Sequence, residues 1–202
     1  MLISNELPTY PGDPIVNLYP KIEYKDKGYN VLSLNMGTHS GTHIDVPFHL
    51  LNKATSVDKM SLDNFIGEAL FAEIIKNNNE KITLKDIKKL DIKKGDILIV
   101  RTGWEENKYR ENYFTDFPYF SIETADYFIL KKIKAIGADI PTVDSPEQNA
   151  TFHKKMMSSG IVIIEALVNL KQLVGKRMFF SALPLNIKDG DGSPVRAIAF
   201  EL

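Results

Sequence analysis

This sequence predicts a mixed α/β fold in one domain. Short β-branched apolar runs, such as Ile97-Leu-Ile-Val100 and Ile161-Val-Ile-Ile164, alternate with segments of helical periodicity such as 121–134. The 202 residues are 44% hydrophobic and 25% charged, enough to bury a core of ordinary size without disulfide or metal staples. No internal repeat, low-complexity tract or Ser/Gly-rich linker divides the chain. Residues 1–202 are therefore expected to form a single compact domain, a mixed β-sheet with flanking helices.

The elements follow in order. Leu7-Pro-Thr-Tyr-Pro-Gly-Asp-Pro14 is dense in turn formers and predicts an ordered loop or arm. Residues 31–36 alternate as a strand, with Leu32, Leu34 and Met36 on one face. Gly37, Gly41 and Pro47 oppose a regular helix through 37–49, which reads as a glycine-rich loop. Residues 69–75 fit a strand, with a helix as the alternative. Thr83 is placed to cap a short helix, and Gly95 precedes a β-branched strand over 96–102. Ser121 caps a helix running to about 134, whose apolar positions Ile122, Ala125, Phe128, Ile129, the Lys132 stem and Ile133 share a face. A strand at 135–140, a loop at 141–146 and a helix at 149–158 closed by Gly160 come next. A buried strand at 161–167 and strands at 176–183 and 195–200 complete the sheet. Strand order is not legible from this pattern.

Composition removes several function classes. Lys plus Arg is 25 and Asp plus Glu is 26, so the formal net charge of −1 gives no electrostatic basis for nucleic-acid binding or a polybasic membrane surface. The absence of Cys excludes disulfides, thiolate zinc sites and a cysteine nucleophile. Residues 1–6 lack a secretory pattern, and the apolar run at 161–164 is broken by Glu165, far short of a bilayer span. A soluble, cytoplasmic protein is expected. No Gly-x-Ser-x-Gly elbow, Rossmann fingerprint or P-loop occurs.

The chemistry concentrates in the histidines. Three of only four lie within eleven residues, as His39-x3-His43-x-Asp45-x3-His49. Imidazole nitrogens and a carboxylate are ligands for a borderline divalent metal, and one loop lets them converge. Gly41 permits close backbone approach, and Pro47 stiffens the return to His49. The fourth, His153, precedes Glu165 by twelve residues. A carboxylate inside an apolar strand costs several kcal/mol if it is buried unpaired. Taken alone, Glu165 is as readily an ion-pair residue as a ligand; its neighbourhood with His153 favours a ligand.

His39-Ser-Gly-Thr-His43-Ile-Asp45-Val-Pro47-Phe-His49 resembles the His-x-Gly-Thr-His-x-Asp-x-Pro-x-His signature of the metal-dependent cyclase-like hydrolases, which include bacterial kynurenine formamidases and isatin hydrolases. Pro11-Gly-Asp13, Arg101-Thr-Gly-Trp104, Val143-Asp144, the interval from His153 to Glu165 and Asp191-Gly-Ser-Pro-Val-Arg-Ala197 follow in the family's order, so the likeness covers nearly the whole chain. It implies that His39, His43, Asp45, His153 and Glu165 bind two divalent metal ions, zinc first and manganese second, with Asp45 bridging. It implies His49 outside the ligand set as acid/base, a swivelling β/β/α cyclase-like fold, and a homodimer or higher homo-oligomer.

The implied reaction is hydrolysis of N-formyl-L-kynurenine to L-kynurenine and formate in tryptophan breakdown. Metal-bound hydroxide would be the nucleophile, since a bound cation lowers the pKa of water from about 15.7 toward roughly 7. Another cyclic amide, as in isatin ring opening, or a lactone is the alternative substrate. A non-catalytic metal-binding module is the alternative of a different class. No motif fixes the aromatic side chains that would meet a substrate ring. Trp104 and Phe48 are the candidates for substrate contact, followed by Tyr10, Tyr19 and Phe120.

Overall fold

In strand β6 (Ile97–Arg101), Ile97 and Ile99 face one side and Leu98 and Val100 the other, and all four are fully buried. A strand covered on both faces reads as a continuous apolar run because both of its period-two sets are inside. The computed structural model describes residues 1–201. It places β6 near the middle of an eight-stranded mixed sheet.

Parallel to β6 run β4 (Ile66–Glu73) on one side and β8 (Ala135–Ala138) on the other, and β8 pairs in parallel with β9 (Val162–Glu165). Beyond this parallel centre the sheet turns antiparallel. β10 (Arg177–Ser181) and β12 (Ile198–Phe200) extend the β4 side, while β3 (His43–Asp45) and β11 (Gly192–Pro194) extend the β9 side. The order is β11-β3-β9-β8-β6-β4-β10-β12. Two small sheets stand apart: a hairpin of β1 (Asn17–Ile22) and β2 (Val31–Asn35), with the short helix α1 (Tyr24–Lys27) between them, and the pair β5 (Lys81–Ile82) with β7 (Tyr119–Phe120).

One face of the large sheet packs on helices α2 (Leu84–Ile87), α3 (Ile122–Lys131) and α4 (Thr151–Ser158), where Ile87, Phe120, Phe128 and Phe152 join Leu98, Val100, Ile136 and Ile163. Phe120 stacks on Phe152 at 5.3 Å, and Phe128 meets both rings edge-on. The other face buries Ile44, Phe71, Ile97, Ile99, Ile164 and Phe180. Phe128 is fully buried and outside the lining of the cavity described below. Phe128→Ala should therefore lower stability by about 3–5 kcal/mol, read as a lower denaturant midpoint with metal binding unchanged once folded.

Several elements differ from the sequence-based expectation. The helix from Ser121 stops at Lys131 because Lys132 turns left-handed (φ 57°) and the Ile133 N–H returns to the Phe128 carbonyl. The next helix starts at Thr151, two residues late, since Asn149 and Ala150 are both left-handed (φ 49° and 55°). The ambiguous 69–75 segment is strand β4. The strand expected at 31–36 is β2, where Leu32 and Leu34 lie exposed on the hairpin. β3 and β11 each carry three residues, too few for any alternation to register. No described helix is long and apolar enough to cross a membrane.

Candidate metal centre

The histidine segment is a strand at its centre rather than a loop throughout. Gly41 turns the chain in a left-handed conformation (φ 66°), and residues 43–45 then enter the sheet between β9 and β11. His43 and Asp45, two residues apart, share the face opposite Ile44, which goes into the core. In the register of β3 with β9, His43 stands directly opposite Glu165. This cross-strand pairing explains how a carboxylate 122 positions later reaches the histidine segment. The site lies where the sheet changes from parallel to antiparallel, at the carboxyl end of β9, the place where α/β sheets open a crevice.

His153 arrives from α4. Asp144, in the loop after β8, caps that helix: its Oδ1 accepts the Phe152 N–H at 2.8 Å and its Oδ2 the His153 N–H at 2.9 Å. The same Oδ2 accepts from His153 Nδ1 at 2.6 Å, leaving Nε2 to face Asp45 Oδ2 (3.5 Å) and Glu165 Oε1 (3.1 Å). His43 is oriented likewise. Its Nδ1–H donates to the Gly41 carbonyl at 2.8 Å, and its Nε2 faces Asp45 Oδ1 (3.3 Å) and Glu165 Oε2 (3.5 Å). His39 turns Nδ1 to Asp45 Oδ1 (2.7 Å) and Nε2 to Asp191 Oδ2 (2.9 Å). In each ring one nitrogen has an outer acceptor and the other points at Asp45, an arrangement that fixes tautomer and ring orientation in metal sites.

Two groups of convergent donors result: His39, His43 and Asp45, and Asp45, His153 and Glu165. Both sides of Asp45 are used, one oxygen for each group. A tetrahedral ion with bonds of about 2.0–2.1 Å sets its donors about 3.3 Å apart. Within the groups His43 Nε2 lies 3.3 Å from Asp45 Oδ1, and His153 Nε2 lies 3.5 Å from Asp45 Oδ2 and 3.1 Å from Glu165 Oε1, while His39 Nδ1 is closer to Asp45 Oδ1, at 2.7 Å. Asp45 and Glu165 are buried with no Lys or Arg bonded to either among the described residues. Such carboxylates need a cation or imidazolium beside them, so the donor set fits divalent metal.

The electrostatics agree. Burial disfavours the charged form of every group here, yet the histidines around Asp45 hold its carboxyl well below the usual range. Against the same burial, Asp191 and Asp45 lift His39 to about 9, and Asp45 with Glu165 lifts His43 to about 10. His153 is raised well above its ordinary value by Asp144, Asp45 and Glu165, again against its desolvation.

His49 sits beside these donors rather than between them. The short turn Pro47–His49 brings its ring to 4.1 Å from that of His39 and 6.5 Å from that of His153, and its Nδ1 lies 3.5 Å from Asp191 Oδ2. Asp191, missing from the sequence-based candidates, also accepts from Thr38 Oγ1 at 2.8 Å. With His39 and His49 it makes a third convergent group, more open than the other two. Bonds from His39 and His49 bring its carboxyl well below the usual range. The signals for Asp191 and Asp144 are their places in the Asp191-Gly-Ser-Pro and Val143-Asp144 segments; for Asp144, in a turn-rich loop, a turn or helix cap is the ordinary explanation.

A cavity of about 300 Å³ opens over these residues, walled by Tyr10, Leu50, Tyr113, Phe114, Pro141 and Pro146 among others. Two expected aromatic contacts need correction. Trp104 is buried in the core, its Nε1–H donating to the Tyr113 carbonyl at 3.0 Å, and it does not line the cavity. Phe48 is 39% exposed and is not in the lining either, because successive side chains on a tight turn diverge and His49 takes the inward place. Of the other aromatics considered, Tyr10 lines the cavity, Phe120 packs in the core and Tyr19 is on the exposed hairpin.

Residues 1–145 match the family described as putative cyclase. The chain is 32% identical over 199 residues to a kynurenine formamidase of Bacillus thuringiensis, covering 97% of this chain and 92% of that protein. It is 38% identical over 192 residues to an uncharacterised protein of Methanocaldococcus jannaschii, covering 94% and 91%. Among solved structures, a potential metal-dependent hydrolase with cyclase activity superposes with a TM-score of 0.85 at 26% identity, covering 100% of this chain and 95% of that one. Isatin hydrolase A from Labrenzia aggregata shares the fold at a TM-score of 0.90 and 22% identity, covering 98% and 90%. With a family match across most of its length and the signature histidines gathered at one site, the chain belongs to the putative cyclase family.

Proposed function

We propose that this protein is a metal-dependent amide hydrolase whose substrate is N-formyl-L-kynurenine, cleaved to L-kynurenine and formate. The observation that carries the reading is the pair of buried donor groups sharing Asp45, with His49 beside them at the cavity. His39, His43 and Asp45 would hold one divalent ion, and Asp45, His153 and Glu165 the other, with zinc favoured by the nitrogen-rich donors and manganese second. When bound, such ions supply Lewis acidity that lowers the pKa of water and offsets negative charge on a carbonyl oxygen.

The chain's own residues do the rest. His49 accepts a proton from the attacking water as its oxygen bonds to the formyl carbon, then delivers that proton to the aryl nitrogen as the C–N bond breaks. An imidazole suits both transfers because it exchanges protons near neutral pH. Asp144, the Gly41 carbonyl and Asp191 keep His153, His43 and His39 from rotating. The apolar lining from Leu50, Pro141 and Pro146 displaces bulk water around the reacting amide.

An amide hydrolase needs a cavity beside the ions and a spare imidazole; a purely structural metal module needs neither. Self-association as a homodimer is part of the reading, supported by the apolar surface that Leu32 and Leu34 expose on one face of the β1–β2 hairpin.

The deciding experiment is a metal-replete activity screen of formylkynurenine, isatin and a lactone. Formylkynurenine is expected to give the highest kcat/KM. Preference for isatin would replace the substrate with a cyclic amide and keep the machinery. Turnover of none of them would overturn the hydrolase reading, more firmly still if chelation unfolded the protein.

A further inference from the structure

Tyr113 is 2% exposed, lines the cavity, and its Oη forms no hydrogen bond among the described residues. Among the described residues the buried side-chain polar atoms sealed off without a partner are Arg101 Nε and Ser121 Oγ, so the Tyr113 hydroxyl is not one of them: it keeps contact with open space. For a residue this deeply packed, that space is the cavity. A phenol normally finds an acceptor when buried, and the one it lacks in the protein is left for a ligand to provide.

The segment that carries it is anchored. Asp139, at the end of β8, accepts from the Thr102 N–H and Oγ1, both at 2.7 Å, and from the Gly103 N–H at 2.8 Å. This clamp fixes the turn into Trp104, whose indole then pins the Tyr113 carbonyl. Next along the chain, Phe114 meets Tyr113 edge-on at 4.8 Å and Tyr10 edge-on at 5.5 Å. Tyr10 and Phe114 both line the cavity, so a planar ring entering it meets aromatic surface. Desolvation, reinforced by the negative charges of Asp139, Glu165 and Glu105, pushes the phenol far up and keeps it a donor.

We propose that Tyr113 is the substrate-recognition residue of this site: its Oη donates a hydrogen bond to a carbonyl oxygen of a bound aryl ligand whose ring packs against Tyr10 and Phe114. Tyr113 would thereby read a carbonyl carried by the ring, apart from the amide that is cleaved. This rests on the amide-hydrolase reading for its catalytic meaning, but its test needs no turnover.

Calorimetry on the intact protein would compare 2-aminoacetophenone with 2-ethylaniline, which share the aryl amine and an ortho two-carbon group and of which only the first offers a carbonyl oxygen. Tyr113→Phe keeps the ring and removes the donor. It should weaken 2-aminoacetophenone by roughly tenfold and leave 2-ethylaniline unchanged. Equal weakening of both ligands, or of neither, overturns the proposal. In turnover, the same variant should raise KM for an ortho-acyl formanilide about tenfold with kcat within about twofold, and leave formanilide unaffected. A fall in kcat at constant KM would also overturn it. If the wild-type protein hydrolyses neither amide, the hydrolase reading fails while the calorimetric pair still decides the role of Tyr113.

Discussion

His49→Ala is expected to reduce kcat by about 10²- to 10⁴-fold, the usual range for loss of a positioned acid/base, with bound metal unchanged. Retention of metal follows from position. The donors grouped about Asp45 come from His39, His43, His153 and Glu165, whereas His49 reaches outward to Asp191 at 3.5 Å. Its side chain is 30% exposed, so truncation removes little packing. Elemental analysis, the thermal midpoint and single-turnover rates on one preparation test this together. Nearly unchanged turnover would remove His49 from the mechanism. Loss of metal alongside turnover would make it a ligand, with Asp191 and His39 as its partners.

The histidine cluster was legible in the sequence because its signal is scarcity: three of four His in eleven residues need no tertiary information. Glu165 was legible for a different reason, as a charge inside an apolar strand. That His43 and Glu165 meet was not readable, since it depends on the β3–β9 register, and β3 is three residues long. The strands of the parallel centre, buried on both faces, left clear apolar runs at 97–100 and 161–164. Their order is set by crossovers that leave no local trace.

Trp104 is a sequence candidate for substrate contact that no motif fixes in that role. The structure gives it a supporting part instead, because an indole has a single donor and here it is spent on the Tyr113 carbonyl. Tyr113 itself was one of eight tyrosines with nothing in its spacing to mark it. Its position becomes informative only when burial, cavity and the missing acceptor are seen together.

Asp45→Asn should abolish stable metal binding, because it removes charge from the one carboxylate that both donor groups share. Oδ1 faces His39 Nδ1 and His43 Nε2, and Oδ2 faces His153 Nε2. Losing an outer hydrogen-bond partner typically costs about 10- to 100-fold in metal affinity; that is the range expected for Asp144→Asn, and Asp45→Asn should exceed it. Full metal content in the Asp45 variant would refute its role as a ligand. Proton counting gives an independent check. Without metal, His39 is raised to about 9 and His43 to about 10, so at pH 7 both rings are imidazolium. Metal needs the neutral rings, so uptake must expel their protons, and apparent affinity should climb as pH rises toward 9–10. Calorimetry in two buffers of different ionisation heat would show the release directly. Asp45→Asn should lose the proton release together with the metal, because without a bound ion nothing displaces the protons that Asp191, Asp45 and Glu165 favour on these rings. Affinity flat between pH 6 and 9, or binding with no proton released, would mean that the metal does not replace protons on these rings.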